Sequence, residues 1–352
     1  RRPAPAPAPK PRALSRERAA LSRAVWRWVF CCLLCLGGLA GQLARANPID
    51  LAAPLKYLQI AGQVAILEDK AGALSPTGAL AEPGWQTATP RLLNRGSSDA
   101  AYWLRLEVSN TGPASVTRWL SIGSPRIEAV DFYQMKPGEA KAQPDGQGGA
   151  YLPLEQMPVA GKTAIFPVTL AAGEAATLLV RVAGRTTIAI EAALWDPLAF
   201  REQEASSDLR QLIPVAALMT VAIYLLVHSL ARRDRSFLLL AGWLFGAALH
   251  ELAFNGYLHR YVFTGGGELN LRAPVVIGNL SIVLSAAFMY VFLKLERFRV
   301  WRWLYLAFIA VSLGTAVAGV FASLRPAIEV SHAILTAFYL VWPLSMLSAW
   351  RH

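Results

Sequence analysis

The chain has 352 residues, of which 55% are hydrophobic and only 16% are charged. Soluble domains carry about 25% charged residues, so this composition excludes a simple soluble protein. The net charge of +11 would suit a nucleic-acid partner, but residues 1–46 hold +8, residues 47–210 hold −3 and residues 211–352 hold +6. A nucleic-acid-binding domain is basic on its own folded surface, so the distribution of charge argues against that partner.

Residues 1–46 have the pattern of a secretory signal peptide with a long, disordered basic start. Arginines and a Pro/Ala tract precede an apolar stretch of 14 residues, 28–41, which is too short to span a bilayer comfortably. Ala44-Arg45-Ala46 then provides a small-residue cleavage site. An uncleaved anchor helix is the alternative. We expect an exported mature chain that begins at Asn47.

Residues 47–200 are predicted to form an extracytoplasmic all-β domain, either a sandwich or a barrel. Glycine and proline recur between short β-rich runs, as in domains built from many strands. In residues 102–108 apolar side chains alternate with Trp103, Arg105 and Glu107, which predicts a strand with two unlike faces. The other predicted strands span residues 117–122, 129–134, 165–170, 177–182 and 187–192.

Residues 211–352 are predicted to form an α-helical transmembrane bundle, joined to the β domain by a linker at residues 201–210. Five apolar segments reach the length that spans a bilayer. They must be helical, because hydrocarbon leaves no partner for unpaired backbone groups. The predicted helices span residues 212–231, 237–254, 274–293, 303–324 and 327–350.

The connections between these helices predict their orientation. The first connection, residues 232–235, and the third, residues 294–302, are dense in Lys and Arg, whereas the second and fourth are sparse. By the positive-inside rule the first and third connections are cytoplasmic. The β domain is then outside, as the signal peptide independently requires.

No complete catalytic signature is found. His250-Glu251 begins like a zinc-protease motif, but Phe254 stands where the second His would be. All five histidines lie in the membrane half, and the three cysteines lie between residues 31 and 35. A His-based or Cys-based active site in the exported domain is therefore excluded. We expect no enzymatic activity, no metal site and no cofactor in this chain.

Five residues of the β domain are candidates for ligand binding. Trp103 and Arg105 share a strand face, where an indole ring could stack on a sugar and a guanidinium could donate hydrogen bonds. Asp131, Tyr133 and Arg181 are further candidates. The alternative is that a loop or the second sheet covers Trp103, and that Arg105 pairs with a nearby carboxylate.

Four ionisable residues near the outer membrane face are candidates for signal coupling. His250 and Glu251 end the second predicted helix, and Glu329 and His332 begin the fifth at helical spacing i and i+3. Ionisable residues inside a membrane are functional candidates by default. The alternative is that they lie shallow enough to reach water at the interface.

Residues 102–110, from Tyr102-Trp103 through Arg105 to Asn110, resemble the aromatic-Trp-x-Arg-x-x-x-x-Asn strand of an extracytoplasmic sensor domain. Residues 178–181 and 188–200 resemble later parts of the same domain. It occurs in bacterial seven-transmembrane receptors with diverse intracellular signalling modules, and the order of segments also matches. The resemblance implies a jelly-roll sandwich similar to carbohydrate-binding modules. It also implies a receptor that passes ligand occupancy to a cytoplasmic diguanylate cyclase, histidine kinase or similar unit. The chain departs from the pattern in having five predicted helices and no output module, so we expect a truncated member, and a degenerate member is the alternative.

The sequence thus predicts the sensory half of a receptor in the bacterial inner membrane, with its N-terminal domain in the periplasm. The expected partners are a small-molecule or glycan ligand, the lipid bilayer and a missing cytoplasmic output module. For the ligand we expect a carbohydrate. The sequence leaves the oligomeric state undecided, and a homodimer is one possibility. A transporter or polysaccharide-handling membrane protein is the alternative function, and a membrane-anchored enzyme is a third.

Overall fold

The computed structural model describes residues 48–350, so the predicted signal peptide at residues 1–46 lies outside the described part. A β sandwich is followed along the chain by a bundle of long apolar helices. This confirms the prediction of an all-β, jelly-roll-like sandwich followed by an α-helical transmembrane bundle.

The sandwich is built from short strands, as its turn spacing predicted. Within the described residues the strands are β1 (Ile49–Asp50), β2 (Tyr57–Gln59), β3 (Ala65–Asp69), β4 (Gln86–Thr87), β5 (Asn94–Ser97), β6 (Ala101–Ser109), β7 (Val116–Gly123), β8 (Ala129–Met135), β9 (Gly146–Gly148), β10 (Ala164–Leu170), β11 (Ala175–Ala183), β12 (Thr187–Ala189) and β13 (Glu191–Trp195).

Two main sheets share these strands. The first has the order β4-β3-β6-β11-β8-β9, with β1 parallel to the end of β6, and the second has the order β10-β7-β13-β2. β5 and β12 form a separate two-stranded ribbon. The chain changes sheet between β6 and β7, between β7 and β8, and again on each side of β10. This repeated crossing is the connectivity of a jelly roll.

The core of the sandwich lies between the two sheets. The apolar face of β6 points inward, and Leu104 and Val108 are at most 3% exposed. They belong to one buried cluster with Leu120 of β7 and Phe166 of β10 in the opposite sheet. Each such side chain stabilises the fold by about 1.5–3 kcal/mol on full burial. Among the described residues no cysteine is present, so this packing does not rely on disulfides.

The helices of the described chain are α1 (Pro76–Ala81), α2 (Pro90–Leu93), α3 (Pro197–Arg232), α4 (Arg235–Phe254), α5 (Tyr257–Tyr261), α6 (Glu268–Phe292), α7 (Arg299–Phe321) and α8 (Leu324–Trp350). Five of these, α3, α4, α6, α7 and α8, are long and apolar enough to cross a membrane. They correspond to the five predicted spans. In the bundle α3 packs on α4, α4 on α6, α6 on α7, and α7 on α8.

Residues 201–210, predicted as the linker, belong to the first part of α3, which runs through them without a break. Asp196 caps the helix, since its Oδ1 accepts hydrogen bonds from the N–H groups of Leu198 and Ala199. Pro197 occupies the first helical turn, where its missing N–H has no cost. The helix α3 therefore begins two residues after Trp195, the last residue of β13.

The sandwich contacts one end of the bundle. Its loops meet the connection between α4 and α6, which contains α5. They also meet the start of α8, where Asp99 pairs with Arg325 at 2.6 Å. The arginine-rich first and third connections lie at the opposite ends of the same helices. The sandwich is therefore on the side that the positive-inside rule assigns to the exterior.

Candidate signal-coupling interface

The five predicted ligand-binding residues lie on the outer face of the first sheet. In the strand register Arg181 of β11 is opposite both Trp103 of β6 and Asp131 of β8. Arg105 of β6 and Tyr133 of β8 flank the neighbouring position of β11 in the same way. Strand pairing therefore brings all five together on one face. That they bind a ligand remains a prediction.

Part of this face is covered by residues 70–85, which contain α1 and are here called the covering segment. Trp103 is fully buried in a small cluster with Tyr133 and Leu179, and the side chains of Leu74 and Trp85 pack over them. Trp85 is held in place by its Nε1–H, which donates to the carbonyl of Ala79 at 2.9 Å. The prediction of Trp103 as a stacking platform is corrected here, because its ring has no exposed face for a sugar.

The charged residues of the face are paired with one another. Arg181 contacts Asp131 at 3.3 Å and donates to the carbonyl of Gly72 at 3.0 Å, which ties β11 to the covering segment. Arg105 pairs with Glu107, two residues along the same strand, at 2.8 Å. Partly exposed pairs of this kind add about 0–1 kcal/mol each, so they leave the polar groups free to exchange partners with a ligand.

Asp69 anchors the start of the covering segment, and it should make the stability of the sandwich depend on pH. Its side chain is 4% exposed, and Oδ2 accepts a hydrogen bond from the N–H of Leu74 at 2.9 Å. Burial acts to raise the pKa of Asp69, but this and other backbone hydrogen bonds outweigh it and lower the pKa. The ionised carboxylate thus stabilises the fold above the unfolded-state pKa of about 3.9, and that stability is lost as pH falls through the lower folded-state pKa.

We therefore expect Asp69→Asn to lower the free energy of unfolding of the sandwich by about 1–3 kcal/mol at pH 7. The difference in the free energy of unfolding between the variant and the unmodified chain should narrow below about pH 4, where Asp69 itself becomes protonated. Hydrogen exchange of the β3 and β6 amides in the two full chains measures this free energy at each pH. A difference that stays constant between pH 7 and pH 3 would contradict the assigned role of the carboxylate.

The four predicted signal-coupling residues make their hydrogen bonds and ion pairs with other residues, not with one another. His250 Nδ1 lies 2.9 Å from the carbonyl of Pro274, so it links α4 to α6. Glu251 accepts a hydrogen bond from Asn255 in the following turn. Glu329 contacts Arg325, the residue that pairs with Asp99 of the sandwich, and His332 is exposed on α8. A role in coupling remains a prediction for all four.

A first charged cluster, here called the arginine cluster, joins the sandwich to α6. It consists of Glu128, Tyr151, Arg185, Glu268 and Arg272. Arg185 bridges the two parts, since it contacts buried Glu128 at 3.1 Å and Glu268 at 2.9 Å. Tyr151 donates to Glu268 at 2.6 Å, and Arg272 holds the other oxygen of that carboxylate at 2.7 Å. The hydrogen bond to Glu268 raises the pKa of Arg185, so the guanidinium stays charged at any physiological pH.

A second cluster, the lysine cluster, joins the sandwich to α3 and α5. It consists of Lys162, Glu204, Asp208, Tyr257 and Arg260. Lys162 precedes β10 and contacts Asp208 of α3 at 2.5 Å, with both side chains less than a fifth exposed. Arg260 of α5 pairs with Glu204 at 2.8 Å, and Tyr257 donates to Asp208 at 2.9 Å. Burial, with this hydrogen bond, raises the pKa of Tyr257, which therefore keeps its proton.

Backbone contacts between the clusters dock the loop of residues 149–154 against the connection between α4 and α6. The N–H of Leu154 donates to the carbonyl of Thr264 at 2.8 Å, and the N–H of Gly267 donates to Ala150 at 3.2 Å. His259 Nε2 lies 3.2 Å from the carbonyl of Leu152. Burial lowers the pKa of His259, so the neutral ring donates this hydrogen bond. The interface is thus continuous from one cluster to the other.

Sequence reasoning missed both clusters, because their members are single charged residues in loops and helix ends without a motif. Glu204 and Asp208 fell in the segment interpreted as a linker. The available signal was their helical spacing of i and i+4, which places both carboxylates on one side of a helix.

Two family models match the chain. The model described as 7TMR-DISM extracellular 2 matches residues 61–196, and the model described as 7TM diverse intracellular signalling matches residues 207–352. The sandwich and the bundle therefore define a membrane receptor with an extracellular sensing domain. The chain belongs to the seven-transmembrane receptor family with diverse intracellular signalling, as the resemblance of residues 102–110 implied.

A solved structure similar to part of the chain is described as "Structure of CBM35 from Paenibacillus barcinonensis". It is 7% identical, and the match covers 40% of this chain and 96% of that chain with a TM-score of 0.19. At that TM-score the similarity supports no argument about the ligand. No curated protein matches the chain.

Proposed function

We propose that this chain is the sensory half of an envelope receptor in the bacterial inner membrane, with its sandwich in the periplasm. A small molecule or glycan binds the sandwich, and its occupancy is transmitted through the helix bundle to a cytoplasmic output module. The observation that supports transmission most directly is the direct continuation of β13 into α3. The helix α3 has 36 residues and carries Pro214 in its interior, and it links the second sheet to the membrane part, so a displacement of that sheet is passed to the helix.

The two clusters support the same proposal, because they hold the sandwich against α3, α5 and α6. Rearranging such polar contacts between two alternative packings is a common way to switch a receptor. A ligand shifts that equilibrium only by its difference in affinity for the two states, typically about 1–3 kcal/mol. For the ligand itself, Arg105, Asp131 and Arg181 are the candidate polar contacts, while Trp103 supports the strand beneath them.

The proposed function is tested by a ligand screen on the full chain in lipid nanodiscs. Glycans and small polar metabolites are screened by thermal shift. Spin labels at Gln143→Cys and Ser323→Cys, with Cys31, Cys32 and Cys35 changed to Ser, report the distance between sandwich and bundle. We expect a ligand that raises the melting temperature and also changes this distance. If no compound in a broad screen does either, the proposal fails.

Lys162→Met should break the transmission while sparing the sandwich. Lys162 is the one cation that the lysine cluster receives from the sandwich, and removing it takes the nearest cation from the partly buried Asp208 of α3. We expect the interface to lose about 1–3 kcal/mol and the ligand-induced distance change to disappear, with ligand affinity retained.

The matched control is Lys141→Met, which breaks a Lys–Asp pair of similar length, with Asp145, inside the sandwich. This variant should bind ligand and change distance as the unmodified chain does. A distance change that persists in Lys162→Met would show that the lysine cluster is not part of the route.

A further inference from the structure

A cavity of about 810 Å³ lies inside the membrane part of the protein. Its walls come from α3, α4, α6 and α8, and Arg126 and Thr186 of the sandwich lie at its outer end. Small-molecule sites typically enclose about 300–1,000 Å³, so the volume fits a bound ligand. Neither the predicted ligand face nor the arginine and lysine clusters line it.

Two buried polar atoms in the wall of this cavity have no hydrogen-bond partner among the described residues. They are Oδ1 of Asn279, a residue 1% exposed, and Oγ of Ser285, which is 2% exposed. The amide nitrogen of Asn279 contacts the carbonyl of Val275 at 2.8 Å and the hydroxyl of Ser331 at 2.6 Å, which orients Oδ1 away from both. An unpaired buried acceptor costs about 1–3 kcal/mol, which a donor on a ligand would recover.

At the outer end of the cavity two arginines and one glutamate line the wall, so positive charge is in excess. The guanidinium of Arg126 lies 4.0 Å above the ring of Phe254, and no carboxylate in the described part of the chain pairs with it. Burial lowers the pKa of Arg126, which is the sign of an uncompensated cation. Arg210 of α3 adds a second positive charge, and the carboxylate of Glu251, which accepts a hydrogen bond from Asn255, adds one negative charge. The imidazoles of His250 and His332 also line the cavity.

Large apolar side chains from all four helices form much of the remaining wall. Leu218 of α3, Ile282 of α6 and Phe338 of α8 line it, together with Trp243 of α4. Along α6 the lining extends from Leu271 to Ser285, which is about 21 Å at 1.5 Å per residue. The cavity thus offers a cationic end, a hydrogen-bond acceptor below it and a long apolar channel.

We propose that this cavity binds a single-chain amphiphile with an acidic head group and a hydroxyl close to it. The acidic group contacts Arg126 and Arg210, the hydroxyl donates to Oδ1 of Asn279, and the acyl chain lies along the apolar wall. The site belongs to the membrane part, so its ligand is distinct from the one proposed for the sandwich, and its test does not depend on that ligand.

The test measures saturable binding to the full chain in nanodiscs, with empty nanodiscs subtracted to remove partition into lipid. The probes share a twelve-carbon chain and are 3-hydroxydodecanoate, dodecanoate and dodecyltrimethylammonium. We expect saturable binding of 3-hydroxydodecanoate, about tenfold weaker binding of dodecanoate, and none of the cationic probe. Equal binding of the first two probes would overturn the assignment of Asn279, and saturable binding of the cation would overturn the acidic head group.

Three variants locate the site. Ser285→Phe fills the channel and should abolish binding, and Arg126→Met should weaken it about tenfold without breaking any ion pair. Val317→Phe adds the same ring on the exposed surface of α7, where the side chain is 53% exposed, and should leave binding unchanged.

Arg126→Met keeps the proposal falsifiable if Ser285→Phe does not fold. Binding that survives both variants would place the amphiphile elsewhere and overturn the proposal. So would the absence of saturable binding in the unmodified chain, including the case in which a helix of a second copy fills the cavity.

Discussion

Replacing Gly266 with alanine is expected to separate the sandwich from the bundle. Gly266 has a φ of +73°, and a Cβ there would lie 2.4 Å from the carbonyl oxygen of Tyr151 and 2.7 Å from the carbonyl carbon of Leu152. Both are backbone atoms of the docked loop, which cannot turn aside as a side chain could. The substitution therefore adds a clash at the interface to the cost of about 1–2 kcal/mol for a left-handed residue.

Hydrogen exchange measures this effect at the amides of Leu154 and Gly267, which donate across the interface. We expect both to exchange about tenfold faster or more, equivalent to about 1.4 kcal/mol. The neighbouring Gly265 acts as the control, since no atom lies within 4 Å of a Cβ at that position and its φ is not positive. Gly265→Ala therefore carries neither the clash nor the strain. Identical exchange in Gly266→Ala and Gly265→Ala would mean that the close packing is not what holds the interface.

Trp103→Ala should cause the largest loss of stability in the sandwich. The indole is fully buried between the first sheet and its covering segment, so truncation leaves a cavity as well as losing its burial. Large aromatic residues in such sites cost about 3–5 kcal/mol when replaced by alanine. The free energy of unfolding, measured by hydrogen exchange of β6 and β11 in the full chain, should fall by that amount.

Trp303→Ala is the matched control, because this tryptophan on α7 is 62% exposed. Its replacement should change the stability of the sandwich by less than about 0.5 kcal/mol. Arg105→Ala, on the same face as Trp103 but partly exposed, should also have a small effect. A loss below about 1 kcal/mol for Trp103→Ala would contradict a packing role and return the residue to the ligand-binding candidates.

Local periodicity made much of the fold predictable. The alternation in residues 102–108 gave β6 its buried and outer faces correctly, because side chains on a strand point to opposite sides in turn. The lengths of the apolar runs predicted five spans, because the bilayer imposes a minimum helix length. The start of α3 was placed too late, since a span can be recognised by hydropathy only where the helix enters hydrocarbon. Its polar first half continues the same backbone hydrogen bonding.

The candidate site was far less predictable. Trp103 has the same strand position whether a loop covers it or not, and the covering residues, such as Leu74 and Trp85, are distant along the chain. Lys162 and Asp208 are 46 residues apart, and nothing in either segment marks the other. Their pairing exists only because the sandwich and α3 meet in the folded chain.

By itself the sequence determined the class of the protein: an exported-side β domain, a bundle of five apolar helices and their orientation. These properties follow from local patterns of hydropathy and charge. Side chains alternate on a strand, a bilayer sets the minimum length of a span, and Lys and Arg are concentrated in cytoplasmic connections. Only the tertiary structure decided that Trp103 is packed, that the arginine and lysine clusters join sandwich to bundle, and that a cavity lies among the helices. Each of these depends on contacts between residues far apart in the chain, which no local pattern encodes.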